Sequence, residues 1–330
     1  MIPSSSVTYR RDLGQAVLEA SIAQPFVMKY VLPDIPVGQR VDNFKKITAG
    51  GPLHLPDTDW SRRGAPKEYE AALDEDSYSC KKHGLDVPLS DTQQAELEDS
   101  FPIQMMAAQM GLNGLLMREE YDGAAALFNT TTFPLSGTTG VSVSTPWATT
   151  ASATPIKDVQ TGVNVIRKKC GMVATSLLIP FPTLLNLSRC ADVTDRVKYV
   201  DPVITNGVLQ NSALAAALGV QRIYVAGGVY NSANEGQTVS GADIWDPDMA
   251  LLFVETPQHR NPVTGNLEPV PMTEMSTLGR TFVWTGEVQG PLDAYPVRDA
   301  NAEETKFRVK RFRDQKIFST RFAYLLGNLD

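Results

Sequence analysis

Four groups of residues have the types and spacing that chemistry requires. Cys80 and His83 stand three apart, Glu119 and Glu120 are adjacent, Asp243, Asp246 and Asp248 crowd one short stretch, and Arg308, Lys310, Arg311, Arg313 and Lys316 form a basic run. A Cys/His pair is half of a metal site, but such a site needs three or four ligands and the surrounding stretch supplies no further Cys or His. Neighbouring helix positions point about 100° apart, so Glu119 and Glu120 do not converge as an acid/base pair and read as solvated or interface charge. The aspartates lack the glycine turn and distal glutamate of a calcium loop and read as a capped turn. The basic run suits a strand with solvated or salt-bridged side chains; contact with nucleic-acid phosphates, or with acidic patches on neighbours, is the functional alternative.

The motifs of common enzymes are missing. There is no GxGxxG after a strand, no GxxxxGK[ST], no HExxH and no GxSxG. With only three histidines, His54, His83 and His259, a Cys/His or Ser/His nucleophile pair is poorly supplied. The expectation is therefore a chain that is not an enzyme, with no catalytic, cofactor-binding or metal-binding residue.

Composition points the same way. An apolar share of 42% is low for one dense core, and 22 prolines with 24 glycines break 330 residues into short elements and extended arms. A net charge of −7 favours solubility and argues against a general nucleic-acid coat. No stretch approaches the ~18 apolar residues of a membrane span. The first residues lack a basic start followed by an apolar run, so no secretion signal and a cytosolic setting are expected. Cys80, Cys170 and Cys190 are odd in number and widely spaced, which fits reduced thiols.

The elements that must position these groups centre on residues 100–128. Ser100 can cap a helix and Pro102 sits where a missing N–H costs nothing. Ile103, Met106, Met110, Met117, Tyr121, Ala124 and Phe128, with Gly114 in the gap, step by three and four and predict its buried face. Before it, a short amphipathic helix over 12–23 leads into an arm whose prolines at 25, 33 and 36 enforce extended backbone. Residues 48–91, rich in charge, Gly and Pro with interspersed aromatics, suit a long projecting hairpin or flap. After the long helix, Thr154 and Pro155 open a second helix that closes on Arg167, Lys168, Lys169 and Gly171. Strands follow at 173–179, 223–230 and 244–255, with helices at 182–199 and 212–218, and strand-like segments return from Arg280. Fold class is α+β, with the last segment coming back to the long helix.

The order of these parts, more than any single motif, resembles tailed-phage major capsid proteins of the HK97 fold. The resemblance is carried by QPFVMKYVLPDIPV, by EDSYSCKKHGLDVPLSD ahead of a long helix with REEYDGAAALFN, and by KIFSTRFAYLLGN at the end. Its most specific piece is WATTASATPIKDV, within PWATTASATPIKDVQTGVNVIRKKCGMVATSLLIPFPTLLNL. The resemblance implies an N-terminal arm over 1–37, an extended loop over 38–86, and a peripheral domain over 87–153 with a spine helix over about 102–128. An axial domain over 154–262 and a return to the peripheral domain over 263–330 complete it.

The implied function is a shell subunit around phage double-stranded DNA, assembled in the bacterial cytoplasm. Its implied partners are itself, as hexamers and pentamers, a separate scaffolding protein, a portal, a decoration protein and packaged DNA held by non-specific contact, with no membrane. Trp60, flanked by Arg62, Arg63 and Lys67, is the expected flap contact, since an aromatic anchor in charged surroundings suits an interface core. Arg118, Glu119 and Glu120 are further candidates for intersubunit charge. Lys45 and Lys46 lie where some members cross-link, but no partner is identifiable and no cross-link is expected. An encapsulin-type nanocompartment, a portal or tail component, and a carboxylate- or thiol-based hydrolase are the alternatives.

Overall fold

A computed structural model describes residues 26–47, 55, 58–59, 73–92, 103–198, 204–205, 208–209, 211–234, 236–260, 267–269, 277–287, 293–299 and 301–330. Its strands are β1 (Asp34–Val37), β2 (Val41–Ile47), β3 (Leu73–Ser79), β4 (Lys81–Ser90), β5 (Gly140–Ser142), β6 (Ser176–Pro180), β7 (Ile204–Thr205), β8 (Val208–Leu209) and β9 (Arg222–Ala226). They continue with β10 (Val229–Asn231), β11 (Gly241–Asp243), β12 (Met249–Phe253), β13 (Gln258–Arg260), β14 (Leu267–Pro269), β15 (Gly279–Trp284), β16 (Asp293–Asp299), β17 (Glu304–Ile317) and β18 (Ala323–Gly327).

Two five-stranded sheets dominate. The first runs β1-β15-β17-β16, with β4 along the other edge of β17, and all but the β1–β15 pair are antiparallel. The second runs β5-β18-β12-β6-β9. Its central strands β18, β12 and β6 are apolar at nearly every position, as strands covered on both faces must be. Helices Pro155–Cys170, Phe181–Arg189, Ala191–Val197 and Asn211–Leu218 accompany it and share its core, which includes Trp147, Leu177, Leu252 and Leu325.

The helix Pro155–Cys170 has the expected bounds. Pro155 opens it, and Gly171, at φ 75°, closes it with its N–H donated to Arg167 O. That left-handed φ is open to glycine without steric cost. Thr154 does not supply the expected side-chain cap; Asp192 Oδ2 instead accepts from Ile156 N at 3.4 Å. Trp147 is fully buried and its Nε1 donates to Asp158 Oδ2 at 3.1 Å. The Trp and Asp of WATTASATPIKDV are thus hydrogen-bond partners tying the helix to the segment before it.

The long helix spans Ile103–Leu127, about 37 Å at 1.5 Å per residue. Ser100 and Pro102, and the expected helix over 12–23, lie outside the described residues. The buried face is the expected one only toward the end of the helix. Met106, Met110 and Tyr121 are 38%, 57% and 40% exposed, whereas Ala107, Ala108, Leu112 and Leu115 are buried; of the expected set, Ala124 is buried and Met117 and Phe128 pack against the core. The reason is the closeness of the sheet. The helix crosses β4 and β17, and a Cβ on Gly111 would stand 2.9 Å from Val309 Cγ2, one on Gly114 2.8 Å from Leu85 Cδ1. Small side chains form the contact, and the larger methionines are left outside it.

The tail divides. β15, β16 and β17 lie in the first sheet with the long helix, but β18 pairs with β12 and β5 in the second, so the last strand does not return to the helix as expected. The β15–β17 ladder is tight at Gly279, where an added Cβ would meet Lys316 O at 2.3 Å and Ile317 Cα at 3.0 Å. Backbone atoms cannot swing aside, so Gly279→Ala is expected to lower stability by about 2 kcal/mol or more in a denaturant titration.

Candidate assembly site

Glu119 and Glu120 are not surface charges. They are 6% and 1% exposed, and as adjacent helix residues they serve different parts of the chain. Glu120 Oε1 accepts from Val27 N at 3.1 Å and from Trp245 Nε1 at 2.8 Å, and its Oε2 accepts from Met28 N at 2.9 Å. Met28 and Val31 bound a short helix whose own N-cap, Val27, has no side-chain acceptor. Glu120 therefore caps that helix from the long helix while holding the indole of Trp245. Burial pushes its carboxyl above the ordinary range, against the pull of the three N–H donors.

Glu119 faces the first sheet, where Arg311 donates Nη1 to its Oε2 at 2.6 Å and Nη2 to Asp34 Oδ2 at 2.6 Å. Arg313 donates Nη2 to Asp122 Oδ2 at 2.8 Å. Arg118, exposed, bridges to Asp122 at 2.9 Å and stacks over the Tyr121 ring.

The basic run of β17 is answered within the chain. Arg308 forks onto both oxygens of Asp86 at 2.8 and 2.7 Å, Arg311 and Arg313 are paired as above, and Lys316 lies 3.9 Å from Asp76 and Lys310 3.8 Å from Glu287. The salt-bridged reading holds, and these cations are not a row offered to phosphates. The Arg308 pairing holds the Asp86 carboxyl below its usual range.

Cys80 and His83 do not converge. Cys80 is buried among Tyr78, Phe282 and Phe312, with Sγ 3.6 Å from Phe282 O, and burial lifts its thiol to about 11. His83 lies beyond it on β4, where residues three apart face opposite sides. Among the described residues no three His, Cys, Asp or Glu side chains could hold a metal ion. Asp246 Oδ1 accepts from Asp248 N at 3.0 Å, the expected capped turn, and Asp248 Oδ1 accepts from Leu329 N at 2.8 Å, so the turn also fixes the end of the chain.

The sequence reading also missed Glu255, which gathers Ser176 Oγ at 2.9 Å, Arg222 Nη1 at 2.8 Å and Tyr224 Oη at 2.8 Å. Its partners lie at separations of 31 to 79 residues, beyond any local spacing.

Of the expected flap, β2 and β3 form an antiparallel hairpin with Val41 opposite Ser79 and Ile47 opposite Leu73. Its base is anchored by Phe44 and Tyr78 against Phe282. Trp60, Arg62, Arg63 and Lys67 lie outside the described residues.

A phage-related protein from Bordetella bronchiseptica RB50 superposes with a TM-score of 0.69 at 18% identity, over 98% of this chain and 99% of that one. The capsid of cyanophage P-SCSP1u does so with 0.55 at 11% identity, over 92% and 88%. The chain has the HK97-type capsid fold. A virus-like particle from Pyrococcus furiosus shares this HK97-type fold too, with a TM-score of 0.56 at 11% identity, over 97% of this chain and 100% of that one. In sequence, a major capsid protein of Pseudomonas phage JBD67 is 22% identical over 225 residues, 68% of this chain and 70% of its own length. No family model matches the chain.

Proposed function

We propose that this chain is a major capsid protein, the subunit of an icosahedral shell that encloses phage double-stranded DNA. The observation that carries the reading is the coincidence, in one chain, of the HK97-type fold with sequence likeness over 225 residues to a phage major capsid protein. In this reading the long helix is the spine of the peripheral domain, the β2–β3 hairpin is the root of the extended loop, and the second sheet belongs to the axial domain. Function is geometry: extended elements of one copy lie on its neighbours, and burial is spread over many interfaces formed on assembly. The partners are further copies in hexamers and pentamers, a scaffolding protein, a portal and a decoration protein, with assembly in the host cytoplasm. DNA is met by non-specific contact, to which the neutralised cations of β17 contribute little.

Trp60 is the flap anchor in this proposal, with Arg62, Arg63 and Lys67 around it. Electron microscopy of the expressed protein tests both statements. Closed shells are expected from the unaltered chain, with a several-fold lower shell yield from Trp60→Ala and an unchanged melting temperature for its unassembled subunit. Rings, tubes or monomers alone from the unaltered chain would overturn the capsid reading. Shells filled with a protein cargo would replace the genome by an encapsulin-type content.

A further inference from the structure

The exposed side of the helix Pro155–Cys170 is made of polar and cationic residues alone. Its exposed positions are Lys157, Gln160, Thr161, Asn164, Arg167 and Lys168, three cations and no carboxylate, in a chain that has 37 acidic residues against 30 basic ones. Lys157, Thr161, Asn164 and Lys168 step by four, three and four, which sets them in one stripe about 17 Å long at 1.5 Å per residue. The helix cannot turn this side inward. Ile156, Val159 and Ile166 are buried, and an added Cβ on Gly162 would stand 2.6 Å from Leu252 Cδ1 and 2.9 Å from Tyr324 Cδ1, so the opposite side lies tight on β12 and β18.

The carboxylates at the start of the helix are engaged within the chain. Asp158 Oδ2 accepts from Trp147 Nε1, and Asp192 Oδ2 accepts from Ile156 N. Among the described residues Lys157, Arg167 and Lys168 form no ion pair; Arg167 Nη2 donates to Asn164 Oδ1 at 3.0 Å, which leaves the NH2 of Asn164 to donate elsewhere. The helix dipole accounts for Arg167 and Lys168 in the last turn, but it disfavours a cation in the first turn, where Lys157 stands. The basic run of β17 differs, because Arg308, Arg311 and Arg313 are each held by a carboxylate.

We infer that this helix face meets the phosphates of the packaged duplex and so lines the inner side of the shell. The inference rests on the shell reading and names the face that DNA touches. The residue types select this occupant over a protein. A protein interface core needs apolar or aromatic anchors, of which the face has none, whereas Lys, Arg, Asn and Gln are donors to phosphate oxygens. A duplex carries one negative charge per about 1.7 Å of axis, so roughly ten phosphates lie along the stripe, and the contact is independent of base sequence.

Neutralisation and labelling test it. The unassembled full chain and a triple variant, Lys157→Gln with Arg167→Gln and Lys168→Gln, are titrated with a short fluorescent DNA duplex from low to physiological salt. The variant is expected to bind at least about tenfold more weakly at low salt, with the slope of log K against log salt shallower by about two to three. A second triple variant, Lys29→Gln with Lys81→Gln and Lys82→Gln, removes the same charge from other exposed positions and is expected to keep the original slope. An unchanged slope in the helix variant would overturn the inference, and together with a fall in shell yield it would give the face to an acidic patch on a neighbouring protein. Equal losses in both variants would trace the effect to net charge and overturn it too. Sidedness is read on Lys168→Cys shells with a polymer-linked maleimide too large to pass the shell. Labelling is expected only after dissociation, and labelling of closed shells beyond that of the unaltered chain would place the face outside, against the inference. If the unaltered chain forms no shells, the capsid reading fails, while the titration still decides whether the face takes phosphates.

Discussion

Glu120→Ala is expected to lower the unfolding free energy of the unassembled subunit by about 3 kcal/mol. Three buried donors, Val27 N, Met28 N and Trp245 Nε1, would lose their acceptor together. Each unsatisfied buried donor costs about 1–3 kcal/mol, offset in part by no longer burying a carboxylate. Amide exchange should accelerate most at Val27 and Met28, since the short helix they begin has no other side-chain cap. Glu120→Gln keeps the oxygen for Val27 and Trp245 but turns an NH2 toward the Met28 N–H, and should lose less.

The pH dependence follows from the raised carboxyl. The folded chain holds that proton to higher pH than the unfolded chain does. Its stabilising contribution is therefore fully present below the ordinary glutamate value of 4.5 and is lost as pH rises through the higher folded value. Glu120→Gln should flatten this part of the profile of urea midpoint against pH. A loss under 1 kcal/mol for Glu120→Ala would mean that water reaches the three donors.

Arg311→Met should cost about 3–5 kcal/mol, measured by the same unfolding titration. Arg311 joins β17 to Glu119 of the long helix and to Asp34 of β1, so its loss strands a carboxylate that is 6% exposed. Adding Glu119→Leu removes the stranded charge and should recover much of the loss, because a buried ion pair is costly to break and far less costly to replace whole by apolar groups. Additive losses in the double variant would show that Glu119 is satisfied chiefly by Arg313, whose Nε stands 3.9 Å from it.

These two sites also show where sequence reading stops. Glu120 meets Val27 and Trp245 across 93 and 125 residues, and Glu119 meets Arg311 across 192. Nothing in REEYDG distinguishes an exposed glutamate from a buried cap. The divergence of the two side chains was legible, because helical geometry sets it; what each one meets was not. The order of arm, hairpin, long helix and returning strands was enough to indicate the HK97-type fold, whereas the partner of each charge on β17 emerged only from its register against β4 and its contact with the long helix.

The long helix marks the division most sharply. Its existence was legible in the sequence alone, through apolar residues stepping by three and four with no internal proline, despite glycines at 111, 114 and 123. The helix Pro155–Cys170 was likewise determined by local chemistry: a proline admitted only at its start, a glycine at φ 75° at its end, and Trp147 within reach of Asp158 eleven residues on. Such features depend on atoms within a few turns of one another. Which face of the long helix is buried was decided by the tertiary structure, because hydrophobicity ranks methionine above glycine and alanine, whereas close approach of a helix to β4 and β17 favours the small residues. Met106 and Met110 are left outside for that steric reason, and Glu119 and Glu120 are drawn inside because their partners come from distant parts of the chain that only folding brings together.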